Sequence, residues 1–226
     1  MLFRSPYKLE NIKYDTTRPY ISILKPSSDD FINYTSISYE LSENIKEAYL
    51  TVIQTGGVLD SKSPHRIQLS GNELKEGKKE NIQLKNGPIL MNGSIYSFEF
   101  SGNDFAGNEV QSTKISNITY DNEPPSISLS RPIDSEQIKN SEISYILSDN
   151  LSKGVVIFKN TGGTTDSALH HEVELKGSQL RQGTQMNIDM FLMDALVDGG
   201  RYSISIQGWD KAGNFSEKKV IRNILF

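Results

Sequence analysis

The chain has 226 residues, 24 basic against 28 acidic side chains, a net charge of −4 and no cysteine. Scattered charge of this sign excludes the concentrated basic face of a nucleic-acid binder, and the missing thiols exclude disulfides, thiolate metal centres and cysteine nucleophiles. The length gives room for two cores, and no apolar run approaches the roughly 20 residues of a membrane span.

Residues 1–14 begin with "MLFRSPYKLE", which lacks the apolar core of a signal peptide, so an exported protein of this sequence is expected to be a piece without its export signal. From residue 15 onward short alternating segments are separated by Gly, Asn, Asp, Ser and Pro, the pattern of an all-β sandwich. The apolar faces are Ile21 and Ile23, then Ile37, Tyr39 and Leu41. Residues 48–53, and 155–158 further along, are apolar on both faces and predict central strands. Thr55, Gly56 and Gly57 then predict a loop. A phosphate loop would need a following helix and a lysine, and neither is present. Asp60, Ser61 and His65 contain the residue types of a hydrolytic triad, but they are too close in sequence to set up a nucleophile, an oriented base and an oxyanion site. They read as turn chemistry, and His65 lacks metal-ligand spacing. Further strands are expected at Ile67 and Leu69, at Ile82 and Leu84, and at Tyr96, Phe98 and Phe100. The last of these leads into "DFAGN" at 104–108, where Gly107 and Asn108 suit positive φ and the Asp104 side chain suits an Asx turn.

From Asn117 the chain starts again. Without a gap, "NIKYD" aligns with "NITYD", "ISYELSEN" with "ISYILSDN", "TGGVLDS" with "TGGTTDS", and "DFAGN" with "DKAGN" at 210–214, a period of 106 residues. Roughly a third of the positions are identical, so the chain is two copies of one module, 15–120 and 121–226. Residues 1–14 match the closing strand "TKISNITY" of a preceding copy, and the chain is expected to be an excerpt from a longer array, with further copies as its neighbours. Pro19, Pro124 and Pro125 restrict the linkers.

Leu90-x-x-Gly93-x-x-Tyr96 and Leu196-x-x-Gly199-x-x-Tyr202 resemble the tyrosine corner of immunoglobulin-like and fibronectin type III domains. With the module length, the strand count and the repeated hairpin, the chain resembles the bacterial immunoglobulin-like repeats of large surface and secreted proteins. The resemblance implies an all-β chain of two tandem immunoglobulin-like β-sandwich domains, joined end to end by a short proline-containing linker. It also implies an extracellular or cell-surface, non-enzymatic role as stalk, spacer or adhesive module. A carbohydrate-binding or accessory module of a secreted hydrolase is the alternative.

Two sets of residues are candidates for binding. In an immunoglobulin-like sandwich the penultimate hairpin, the loop after the second strand and the incoming linker share one end. That gathers Asp121, Asn122, Glu123, Asp149, Asn150, Asp210 and Asn214 in the second copy, and Asp15, Glu43, Asn44, Asp104 and Asn108 in the first. Calcium takes six to eight oxygens of these types, and "YDNEPP" is similar to cadherin linkers, so calcium at the inter-domain junction is one reading and a plain turn is the other. The second candidate is Trp209, the only tryptophan, whose partner in the first copy is Asn103. Strand alternation points it outward, as padding for the junction or as a stacking platform for a glycan or protein partner.

Overall fold

The computed structural model of the protein describes residues 14–84 and 89–226; the strand remnant expected over 1–14 lies, but for Tyr14, outside them. The chain divides into two compact units, one reaching Asp30 and resuming over Thr35–Thr119, the other made of Phe31–Tyr34 and Tyr120–Phe226. Among the described residues no helix is long and apolar enough to cross a membrane.

The first repeat is built from strands Tyr20–Lys25 (β1), Phe31–Ile32 (β2), Ser36–Leu41 (β3), Glu47–Gly57 (β4), His65–Gln68 (β5), Gly77–Gln83 (β6), Ser94–Asn103 (β7), Gln111–Ser112 (β8) and Ile115–Tyr120 (β9). They form two sheets, ordered β6-β3-β1-β8 and β2-β9-β7-β4-β5. Tyr39 of β3 and Phe100 of β7 meet between them with ring centroids 5.0 Å apart and planes tilted by 54°, within the separation at which aromatic pairs attract.

The second repeat runs through Ile127–Arg131 (β10), Glu142–Leu147 (β11), Lys153–Gly163 (β12), His170–Glu174 (β13), Gly183–Asp189 (β14), Gly200–Trp209 (β15) and Lys219–Leu225 (β16). Its sheets are ordered β10-β11-β14 and β13-β12-β15-β16. One core joins them, with Ile127, Tyr145 and Leu147 from the first sheet against Val156, Phe158, Ile204 and Ile206 from the second. Period-2 alternation explains the choice of residues, since successive side chains of a strand face opposite ways and only one face meets the other sheet.

The expected core positions are all buried or half-buried. Three expectations are corrected. Residues 48–53 and 155–158 do lie in central strands, but only one face is covered: Ala48, Leu50, Val52, Val156 and Phe158 are buried, whereas Val155 and Ile157 are half-buried and Ile53 is 37% exposed. Thr55, Gly56 and Gly57 are the end of β4 rather than a loop, past an irregularity between Gln54 and Gly56. Gly57 is required there, because its φ is +73° and a Cβ would stand 2.2 Å from the Gly93 carbonyl oxygen. Finally, Gly107 and Gly213 take positive φ at the repeated hairpin, but Asn108 and Asn214 do not.

Candidate functional site

Three places concentrate polar chemistry, each occurring at equivalent positions of the two repeats. The first is buried. The Tyr96 hydroxyl accepts the Met91 backbone N–H at 2.9 Å and donates to Asp60 Oδ2 at 2.8 Å, while His65 Nε2 lies 2.6 Å from the same oxygen. Asp60 Oδ1 accepts the Lys62 N–H at 3.0 Å. In the second repeat the Tyr202 hydroxyl accepts the Val197 N–H at 2.9 Å and donates to Asp166 Oδ2 at 2.9 Å, with His171 Nε2 at 2.6 Å. The tyrosine corner is therefore real, and it is tied to an Asp-His pair on the neighbouring strand end.

Burial acts to raise the Asp60 carboxyl, but hydrogen bonds from His65, Tyr96 and the Lys62 amide outweigh it and hold it below the ordinary range. At Asp166 the His171 hydrogen bond leads, and the carboxyl is again held low against burial. Burial, with the neighbouring carboxylates, pushes the Tyr96 and Tyr202 hydroxyls up, so both stay protonated donors. An ionised carboxylate only accepts, which places the shared proton on His65 Nε2 and His171 Nε2. Asp60 and Asp166 are 4% and 2% exposed, while Ser61 points to solvent, so no nucleophile faces the histidine. These groups are a structural knot.

The second place is the repeated hairpin. Asp104 Oδ1 accepts the Ala106 and Asn108 N–H groups, both at 2.8 Å, and the Asn108 Nδ2 donates to Asp104 Oδ2 at 2.8 Å and to the Asp15 carbonyl at 3.1 Å. The second copy repeats this: Asn214 N donates to Asp210 Oδ1 at 2.9 Å, and Asn214 Nδ2 reaches Asp210 Oδ2 and the Asp121 carbonyl, both at 2.9 Å. Asn108 and Asn214 thus turn their amide nitrogens, not their oxygens, toward the acidic groups. They clip the incoming linker to the hairpin and do not act as oxygen ligands. Asn44 and Asn150 are also spent elsewhere, their Oδ1 atoms accepting the Glu76 and Gln182 N–H groups at 3.0 Å. Asn122 sits exposed in the linker.

The carboxylates behave differently in the two copies. In the first, ligand oxygens of Asp15, Glu43 and Asp104 all lie within 4.8 Å of one another, and no other group of three such residues converges as closely among the described residues. Burial, then Asp15, Asp104 and Glu76, pushes the Glu43 carboxyl up. At Asp104 burial opposes, but hydrogen bonds from Asn108 and the turn amides hold the carboxyl low. In the second copy Asp121, Asp149, Asn150, Asp210 and Lys211 line one recess, with the Asp121 carboxyl raised by burial, Asp210, Asp149 and Glu123. There the carboxylates repel without closing on a common point.

The third place is the outer face of the longer sheet in each repeat. On β15, Tyr202, Ile204 and Ile206 are buried while Gln207 and Trp209 are half-buried on the opposite side, as alternation predicts. The Lys153 Nζ stands 5.6 Å from the centre of the Trp209 ring. In the first repeat the guanidinium of Arg66 covers the Tyr49 ring at 3.9 Å.

A family model described as Bacterial Ig-like domain (group 3) matches residues 89–222, more than half of the chain. The chain belongs to this bacterial Ig-like family. Its expected fold class, all-β with immunoglobulin-like sandwiches, holds. Among solved structures, the fibronectin(III)-like modules of Clostridium thermocellum CbhA are 12% identical, with 91% of this chain and 93% of that chain covered at a TM-score of 0.41. The chicken CNTN1 FN1-FN3 domains are 12% identical over 94% of this chain and 68% of that chain, at 0.45. A tetra-tandem repeat from the extending region of a large adhesion protein is 14% identical over 91% of this chain and 49% of that chain, at 0.29. No curated protein matches the chain.

Bacterial Ig-like domains of this kind are generally non-catalytic modules and are often found in surface proteins. Sequence reasoning named Asp60, His65 and Tyr96 but treated the tyrosine separately from the acid. The signal that joins them was present, because all three recur in the second Ig-like repeat at the same spacing as Asp166, His171 and Tyr202.

Proposed function

We propose that the two Ig-like repeats are a non-catalytic structural and adhesive segment of a larger extracellular bacterial protein, acting as stalk, spacer or binding module. The observation that carries this reading is the buried Asp-His-Tyr knot. This constellation of hydrolase-type side chains is turned inward and self-satisfied in both copies, where it fastens the β4–β5 loop and β5 to β7, and the β12–β13 loop and β13 to β15. Pulling the chain by its ends should give two cooperative unfolding events, each releasing about 350 Å of chain for a 106-residue module. Extension without force peaks would overturn the stalk.

A second reading is favoured by one specific feature. The converging oxygens of Asp15, Glu43 and Asp104 supply three hard carboxylate ligands, fewer than the six to eight calcium prefers, and water and backbone carbonyls complete such sites. We assign calcium to the first repeat, where like charges crowd Glu43 and a bound ion would relieve that repulsion. At a hundredfold excess over its Kd, calcium would stabilise that repeat by about 2.7 kcal/mol. Calorimetric melting in calcium against chelator reads this directly, and superimposable curves would eliminate the site.

A further inference from the structure

On the outer face of the sheet β13-β12-β15-β16, the second repeat carries a groove of about 210 Å³. Val155 and Ile157 of β12 form its floor, and Trp209 closes one end beside Lys153, its partner in the strand register. Lys218 lines the groove from the other side of β15, just before β16, whose Lys219 pairs with Ile206, so that it falls level with Gln207. Glu172 lies at the other end, opposite Ile157 in the register. None of these three charged residues makes an ion pair among the described residues. The indole N–H of Trp209 likewise donates to no acceptor among them.

The fold does not require this groove. At the equivalent positions of the first repeat, Tyr49 stands where Val155 is and lies under Arg66, and Asn103 replaces Trp209. Glu47 and Ser112 replace the two lysines, and Ser112 is held in the parallel pairing of β8 with β1. The second repeat has no counterpart of that pairing: β10 forms an edge of its three-stranded sheet, and Lys218 lies outside any strand. An open aromatic and aliphatic strip with two cations that make no ion pair is therefore a property of one copy alone.

We propose that this groove binds a carboxylate-bearing sugar residue of an acidic glycan, its ring against Trp209 and the aliphatic floor and its carboxylate at Lys153 and Lys218. Two features favour a sugar over an acidic peptide. The backbone of β12 is paired on both sides, to β13 and β15, so an extended peptide finds no main-chain groups to pair with, and recognition rests on side chains alone. The volume is below that of a drug-sized pocket and suits one ring of a longer ligand. A pyranose offers an apolar C–H face to the indole and hydroxyls to the rim, where Gln207 and Glu172 can hydrogen-bond. The polarity of the groove sets the orientation. The two lysines attract the carboxylate toward the tryptophan end, and Glu172 repels one at the other. This deepens the adhesive side of the function proposed above by naming a ligand class.

Trp209 is the sole tryptophan, so its fluorescence reports on this groove directly. The full chain is titrated with oligogalacturonate and with a sialic-acid-terminated oligosaccharide, each beside its carboxyl-reduced neutral form, and with polyglutamate. At least one acidic sugar should give a saturable change, binding about tenfold or more tightly than its reduced form. The double variant K153A/K218A should lose about tenfold or more, Trp209→Ala should abolish the heat of binding in calorimetry, and Asn103→Ala should change nothing. Trp209→Tyr, which keeps a stacking ring, should retain binding and so separates lost contact from lost folding. The proposal is overturned if neither acidic sugar titrates, if the reduced forms bind equally, or if polyglutamate binds as tightly. The force measurement on the stalk is independent of every one of these results.

Discussion

The two repeats share a period of 106 residues, and superimposing them in register separates what the sandwich needs from what each copy does with it. The Asp-His-Tyr knot is the same in both, with His-to-Asp distances of 2.6 Å each and Tyr-to-Asp distances of 2.8 and 2.9 Å. The Asn clip to the hairpin carboxylate is also shared. The carboxylates that converge in the first copy do not converge in the second, and the sheet face that Arg66 covers in the first is open beside Trp209 in the second. Duplication thus works as an internal control. Interactions kept in both copies hold the fold, and the ones that differ are available for binding.

The largest test of that division is the knot. Asp60→Ala and Asp166→Ala each leave a buried tyrosine hydroxyl and imidazole without their common acceptor, and each should cost its own repeat about 3 kcal/mol. Trp209 fluorescence follows the second repeat and far-ultraviolet circular dichroism follows both, so denaturant curves can assign the loss. Unequal losses would show that the knot matters to only one copy. The same carboxyls set an acid limit. Both have pKa values held below the ordinary aspartate range, so their stabilisation is complete above that range and is lost as pH falls through the depressed values. Acid destabilisation of both repeats is expected below about pH 4 and should be weaker in Asp60→Asn for the first repeat and in Asp166→Asn for the second.

A smaller effect comes from a pair of equivalent glycines with different neighbours. A Cβ at Gly102 would lie 2.2 Å from the Glu47 carbonyl oxygen and 2.8 Å from the Ala48 Cα, both backbone atoms that cannot yield without parting β4 from β7. At Gly208 the nearest atom is the Leu151 Cδ1, at 2.5 Å, the end of a side chain that can rotate. Gly102→Ala should therefore cost about 3 kcal/mol and Gly208→Ala about 1 kcal/mol, read from the midpoints of the same denaturant curves. Equal costs would mean that the two sandwiches are packed more alike than these contacts indicate.

Most of the architecture was legible in the sequence because alternation and turn residues are local signals. Tyr39, Tyr96 and Ile204 had to face a core once their strands were recognised. The side-chain chemistry was less legible because it depends on which atoms meet across strands. Asn108 was chosen as an oxygen ligand on residue type, yet its amide nitrogen faces the acids, since both neighbours, the Asp104 carboxylate and the Asp15 carbonyl, are acceptors that need a donor. The outward direction of Trp209 followed from alternation, whereas the groove beside it depends on Lys153, Glu172 and Lys218, which lie on other strands or beyond them. Nor did the run at 155–158 reveal that its outer face stays half-exposed, because a continuous apolar segment looks the same whether one face or both are covered.

The smallest test bears on the convergent carboxylates. Burial and the neighbouring Asp15, Asp104 and Glu76 raise the Glu43 carboxyl, so protonation favours the folded state there. The sign is opposite to that of the knot: the favourable contribution is present below the ordinary glutamate range and is lost as pH rises through the raised value. At pH 7 without calcium the charged Glu43 is therefore a net cost to the first repeat. Glu43→Gln should stabilise that repeat by up to about 0.5 kcal/mol, a small value because the side chain is only half-buried and solvent screens its neighbours. The gain should vanish below about pH 4, where the wild-type carboxyl is already protonated. If the first repeat holds calcium, the same substitution should remove the calcium-induced rise in its melting temperature, whereas Asp149→Asn at the equivalent position should leave that rise intact. A stabilising Glu43→Gln with no calcium response in the wild type would mean that the three carboxylates are simply strained against one another. A calcium response that survives Glu43→Gln but not Asp149→Asn would move the ion to the second repeat and reverse the comparison.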